Sequence, residues 1–193
     1  MKKNDFIFSI SDIAEIGMLL ALAIILDTFV KIPLGETGGS LNFAMIPIVI
    51  IGLRHGWFKA LLASGVAFGL ITCLLDGYGF VTYPFSYLLG FGSFALIGCF
   101  GRLINKYYEI KNVKKTVFTM MFVVAIIMVS GVLRWVFESI SSVLFYETTF
   151  VGGLAYNATY VLPSAALTAA GTCLLLPTIK YINNRFQSKY LED

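Results

Sequence analysis

Six long apolar runs dominate this chain, and the short segments between them hold nearly all of its charge. That alternation constrains the fold more than any other feature. A helix needs about 20 apolar residues to cross roughly 30 Å of hydrocarbon, and only closed hydrogen-bonded structures such as helices satisfy the backbone there. The runs lie at about 12–30, 41–53, 57–75, 81–104, 117–145 and 155–182. The expected fold is an all-α integral membrane protein of six transmembrane helices, forming one domain over 1–193. The second run is too short to span alone, so it is expected to pack among its neighbours with its outer end in a recess. The fifth is long enough to tilt or to project. A soluble alternative fails on charge: 58% of the residues are hydrophobic and 13% charged, whereas a soluble domain carries about 25% charged residues. The first run reads as a span rather than a cleavable leader, being too long and lacking a small-residue cleavage site.

Charge sets the expected orientation, because Lys and Arg collect in cytoplasmic loops. With the N-terminus inside, that side holds Lys2, Lys3, Arg54, Lys59, Arg102, Lys106, Lys111, Lys114, Lys115, Lys180, Arg185 and Lys189, twelve of the fourteen basic residues. Lys31 falls outside and Arg134 within the fifth span. Both termini are therefore expected on the cytoplasmic side of a multi-pass protein of the plasma membrane. The basic residues are spread over four cytoplasmic segments, which argues against nucleic acid as a partner.

Chemistry has few places to sit. Ionisable residues inside spans are costly and usually face an interior cavity; here they are Asp27 near the outer end of the first span, and Arg134 and Glu138 in the outer half of the fifth. The i,i+4 spacing places Arg134 and Glu138 on one helix face, with Trp135 and Tyr146 on the same helix. Two readings are compatible with that pair: a structural ion pair, or a ligand site in which Glu138 accepts hydrogen bonds or offsets a positive charge. The outer segments are rich in glycine, aromatic and small polar residues: 35–42, 76–83 and 145–150, with Asn157 and Tyr160 opening the sixth span. They read either as an interfacial aromatic belt or as a pocket with a loop lid, since aromatic faces stack on flat rings and hold cations. Phe80, Phe145 and Phe150 suit the belt. Tyr83 and Asn157, beside proline-containing helix ends, suit the pocket.

Enzyme signatures are absent: the sequence has no HExxH, GxSxG or Walker A motif. The three cysteines, Cys73, Cys99 and Cys173, lie within apolar runs without a CxxC pair, so neither a disulfide framework nor a metal site is expected. The single histidine, His55, sits in the basic turn Arg54-His55-Gly56-Trp57 and is expected to pack the loop or touch a partner protein. Without a nucleotide site, the chain needs no cofactor of its own and cannot itself draw on ATP. Gly17 and Ala21, with Ala14 and Ala23 nearby, form a small-residue face on the first helix that would let another membrane helix approach closely.

Taken in order, several segments resemble a known family: Glu15-Ile16-Gly17 to Ala21, Gly38-Gly39-Ser40 followed by Met45-Ile46-Pro47, Leu53-Arg54-His55-Gly56, Tyr83-Pro84, and Tyr156-Asn157 to Leu162-Pro163-Ser164. They run over nearly the whole chain. The chain is similar to the substrate-binding S components of energy-coupling factor (ECF) vitamin transporters, most of all to their thiamine-specific branch. The resemblance implies an S-component bundle that binds its vitamin in an outward pocket. It implies a gate at the first outer loop (Gly38, Gly39, Ser40). It also implies docking through Gly17 and Ala21 onto a transmembrane coupling subunit driven by two cytoplasmic ATPases, with toppling of the S component to release the vitamin inside. The implied substrate-binding residues are Thr82, Tyr83, Trp135, Glu138, Tyr146 and Asn157. Departures bear on the substrate. Thr82 stands where the thiamine branch has an acidic residue, Glu138 where it has a histidine and Tyr146 where it has a tryptophan, and the first outer loop lacks tryptophan. Tyr83 and Asn157 are kept. Either the acidic group has moved to Glu138 for the same cationic ligand, or the pocket takes another small heterocycle such as a pyrimidine precursor. A non-transport membrane scaffold or assembly factor, and less so a small membrane enzyme, are the competing classes.

Overall fold

The computed structural model describes residues 6–34, 39–77, 79–186 and 190–191. The first helix, α1 (Ile10–Phe29), starts at a capping box: the Ser9 hydroxyl accepts from the Asp12 amide and the Asp12 carboxylate accepts from the Ser9 amide, each at 3.1 Å. Such reciprocal bonds satisfy two of the amides that a helix start leaves open. After α1 the chain forms a two-residue antiparallel ribbon, β1 (Ile32–Pro33) with β2 (Ser40–Leu41), in the register Ile32–Leu41 and Pro33–Ser40. The ribbon takes residues 40 and 41 out of the second helix, which runs as α2 (Met45–His55) instead of over 41–53.

Gly56 turns the chain at φ +87°, with the Tyr190 ring 2.9 Å from where a Cβ would stand, so a side chain there is excluded both by conformation and by space. Helix α3 (Trp57–Asp76) follows, then α4 (Phe80–Cys99) and its extension α5 (Gly101–Tyr107). Asn112 caps α6 (Val113–Tyr146), so Lys114 and Lys115, expected in a polar connection, lie in its first turn. Thr149 caps α7 (Phe150–Arg185), which contains Pro163 and Pro177. Beside Pro163, the Ser164 hydroxyl meets the Asn42 amide and the Ser40 carbonyl, each at 3.4 Å, tying α7 to the ribbon.

The core surrounds α2, whose Met45, Ile48, Val49 and Ile51 are all buried. Eleven residues span only about 16 Å, and the longer helices enclose it. Helices α6 and α7 pack along their length, and the Ala165 methyl lies 2.5 Å from a Cβ position at Gly131, the close approach that small residues permit in membranes. Four helices among the described residues, α3, α4, α6 and α7, are long and apolar enough to cross a bilayer. Large apolar side chains such as Met18, Phe118, Met121 and Leu174 face outward, as they do where lipid is the solvent. This is an all-α, multi-pass membrane protein. Helix α1 is as long as α3 but carries three carboxylates, Asp12, Glu15 and Asp27.

Those carboxylates are paired. At one end of the bundle Lys59 meets Asp12 at 2.9 Å with both side chains buried. Arg54 grips both carboxylate oxygens of Glu15 and also donates to Asn183 of α7. His55, wholly buried, lies between Asp12 (3.4 Å) and Glu15 (3.3 Å). The basic turn is therefore not a solvated loop, and its histidine faces α1 instead of a partner protein. Asp12 and Glu15, one turn apart on α1, supply the charge that draws three basic side chains inward. Removing one member of a buried pair strands the other at a cost of about 3–5 kcal/mol. Lys59→Met should lower stability by about that amount in detergent thermal unfolding. Adding Asp12→Asn should recover most of the loss; an equal loss in single and double variants would show that the pair is not coupled.

Candidate functional site

The other end of the bundle brings together the far end of α1, the ribbon, the α3–α4 junction, the second half of α6 and the start of α7. Asp27, buried on α1, accepts a 2.9 Å bond from Asn42 Nδ2, which follows β2. Asp76, closing α3, accepts from the Tyr87 hydroxyl of α4 at 3.1 Å and pairs with Lys31 at 3.6 Å. Asp27 lies within electrostatic reach of Asp76, Lys31 and Arg134, so these groups form one charged cluster. Arg134 is 6% exposed, with its guanidinium 4.5 Å above the Phe91 ring. Its Nε lies 3.6 Å from Glu138 Oε1, an ion pair beyond hydrogen-bond distance. The buried Nε has no hydrogen-bond partner, and neither has Asn42 Oδ1. Buried polar atoms are nearly always satisfied, which makes these two atoms candidates for a ligand's polar groups; the two ring nitrogens of His55 at the basic end also lack hydrogen-bond partners.

Aromatic rings line the same end. Tyr87 and Phe91 stack edge to face on α4, and Tyr156 and Tyr160 do so on α7. The Tyr160 hydroxyl donates to Asn157 Oδ1 at 2.7 Å, and Asn157 Nδ2 donates to Ser142 at 3.0 Å and Ser139 at 3.4 Å. A row of small polar side chains thus fixes Tyr160. Above its ring passes Gly39 at φ +79°, with ring carbons 2.7 and 2.9 Å from a Cβ position. The strand β2 that follows Gly39 rests on α7 at this point.

The family model for the thiamine transporter protein family matches residues 13–184. This chain belongs to that family. It is 31% identical over 179 residues to the thiamine transporter ThiT of Bacillus subtilis (strain 168), a match that covers 85% of this chain and 89% of the relative. Its fold matches a solved structure of ThiT from Listeria monocytogenes with a TM-score of 0.72 at 21% identity, covering 88% of this chain and 97% of that one. The family is one of transport proteins and not of enzymes.

In this family member the six expected binding residues occupy different positions. Glu138 is mostly buried beside Arg134, with the Ser86 hydroxyl next to it. Tyr146, at the end of α6, is half exposed and within electrostatic reach of Tyr160. Trp135 donates its indole N–H to the Leu154 carbonyl at 2.8 Å, pinning α6 to α7. Thr82 is buried and donates to the Gly79 carbonyl of its own turn at 3.0 Å. Tyr83 crosses to α3, where its hydroxyl donates to the Gly65 carbonyl at 3.0 Å. Asn157 is the buried anchor of Tyr160. Of the expected gate residues, Gly39 and Ser40 join the ribbon and its contact with α7, while Gly38 lies outside the described residues. The cluster also holds groups outside the expected binding set: Asp27, Lys31, Asn42, Asp76, Tyr87, Arg134 and Tyr160. Asp27 and Arg134 had a sequence signal as ionisable residues inside apolar runs. Asn42 and Asp76 lay in the polar outer segments, and Tyr87 had no signal, because a contact between separate helices brings it in.

The Gly39–Tyr160 contact has a measurable consequence. Gly39→Ala adds a side chain at positive φ and drives it into a ring held by Asn157, at about 1–2 kcal/mol. In a Tyr160→Ala background the steric part disappears, so the loss should shrink by about 0.5 kcal/mol or more. Equal losses in both backgrounds by thermal unfolding would mean that the loop does not rest on Tyr160.

Proposed function

We propose that this chain is the membrane-embedded thiamine-binding subunit of an energy-coupling factor importer. The observation that carries this reading is the charge balance of the site, in a member of the thiamine transporter family. Asp27, Asp76 and Glu138 bring three formal negative charges, and Lys31 and Arg134 bring two positive ones. One negative charge is left over in a largely apolar surround. Thiamine carries one fixed positive charge on its thiazolium ring and presents two flat rings. An excess charge in a low-dielectric site favours an oppositely charged ligand far more than it would in water.

Transport then follows from the division of the molecule. With the twelve basic residues facing the cytoplasm, the site opens outward, gated by the loop at Gly38, Gly39 and Ser40. The chain has no nucleotide motif, so energy comes from two ATPases acting through a transmembrane coupling subunit. Gly17 and Ala21 fit the docking role: both are exposed on α1, and no atom lies within 4 Å of a Cβ position at Gly17.

Purified protein should bind thiamine with no ATP present. At a concentration 100 times the Kd, a ligand that binds only the folded state stabilises it by about 2.7 kcal/mol, visible as a rise in Tm. No shift with thiamine but a shift with its pyrimidine precursor would transfer the assignment to that precursor; silence with both, with no small molecule carried through purification by mass spectrometry, would contradict the binding role. Gly17→Leu with Ala21→Leu should leave thiamine binding unaltered and abolish uptake in vesicles holding the coupling subunit and ATPases. Unchanged uptake would place docking on another face.

A further inference from the structure

The thiamine reading leaves open what the Arg134–Glu138 pair does, and the geometry argues against a purely structural salt bridge. A pair built for stability in an apolar bundle closes to hydrogen-bond distance and satisfies its remaining donors, because an unpaired buried polar group costs free energy. The Arg54–Glu15 pair at the basic end does so: Arg54 bonds both oxygens of Glu15, the Asn183 side chain and the Phe186 carbonyl. Arg134 does not. It is as buried as those groups, yet it stands 3.6 Å from its partner with its Nε unsatisfied. The Phe91 ring lies 4.5 Å from its guanidinium carbon and covers it on that side. One turn along α6, Glu138 presents carboxylate oxygens on the same helix face. Side by side, the pair offers an N–H donor and an acceptor, held apart.

We propose that Arg134 and Glu138 together read the donor–acceptor edge of an aminopyrimidine ring. Arg134 donates to the ring nitrogen next to the amino-bearing carbon, and Glu138 accepts from the exocyclic amino group. Arg134 is thereby a specificity-determining residue of the site. The inference rests on the reading that the site takes thiamine, or the aminopyrimidine half of it, and assigns which edge of the ligand is recognised and by what. In this division of labour the ligand's fixed charge is answered by the whole cluster, Asp27 and Asp76 included, while the i,i+4 pair discriminates by hydrogen bonding. A site that hydrogen-bonds a ligand edge rejects an analogue that leaves its buried groups mismatched.

Oxythiamine supplies the test. It keeps the thiazolium charge and the overall shape but has an oxo group in place of the amine, which turns the neighbouring ring nitrogen into an N–H donor and so inverts the edge. Calorimetric titration of wild type should show thiamine preferred over oxythiamine by about 100-fold or more. Glu138→Gln, whose amide can donate to the oxo group, should narrow that preference by about tenfold or more. Arg134→Lys, which keeps the charge and one donor, should weaken thiamine by about tenfold while retaining a preference for it. Wild type that binds both compounds equally overturns the proposal without any variant. So does an unchanged thiamine-to-oxythiamine ratio in folded Glu138→Gln, the result a structural pair would give. Wild type that binds neither compound overturns instead the thiamine reading on which the proposal rests.

Discussion

The cost of charge inside a bilayer organises this molecule. An ionised side chain in hydrocarbon is expensive unless it is paired, satisfied by polar neighbours or facing a cavity. Helix α1 carries three carboxylates in twenty residues, and each of them is answered by a group from another part of the chain: Asp12 by Lys59, Glu15 by Arg54, and Asp27 by Asn42. These pairings hold α1 against the α2–α3 turn at one end and against the ribbon at the other. The apolar helices set the layout of the bundle, and the charges set which ends of which helices meet.

The two ends use the same kinds of residue for opposite purposes. At the basic end the charges lie close to their partners: Lys59 bonds Asp12, Arg54 bonds Glu15 and reaches across to α7 through Asn183, and His55 lies between the two carboxylates. At the other end the arrangement is looser, and the formal charges of Asp27, Asp76, Glu138, Lys31 and Arg134 leave one negative in excess. Arg134 and Glu138 stand apart, and Asn42 keeps a buried oxygen without a partner. A closely paired end and a looser one suit the proposed receptor role, in which a ligand is captured at the looser end.

Much of the fold is legible in the apolar runs, since their length and spacing dictate helices that cross or nearly cross a bilayer. The short second run is legible as well: eleven helical residues cannot span, and α2 is enclosed at the centre. The start of α2 at Met45 is not, because the ribbon pairing of residues 32–33 with 40–41 depends on a tertiary contact with α7 at Ser164. The site is legible where one helix carries it, as at Arg134 and Glu138, whose spacing alone puts them on one face. It is illegible where helices must meet. Tyr83 and Asn157 are expected as ligand contacts, and the sequence does not show that their polar atoms also bond Gly65, Ser142 and Tyr160. The basic turn at Arg54 and His55 signals orientation in the sequence, and the same side chains fold inward because Asp12 and Glu15 lie opposite them.

The central claim is that the excess negative charge at the outer end receives a cation. The most direct measurement compares thiamine with its neutral isostere, in which a thiophene ring replaces the thiazolium, by calorimetric titration of the wild-type protein. A unit charge about 4 Å from a fixed opposite charge gains on the order of 4 kcal/mol at an effective dielectric constant near 20. Even with part of that lost to desolvation, thiamine should bind about 100-fold tighter or more. Equal affinity for the charged and neutral compounds would contradict the claim.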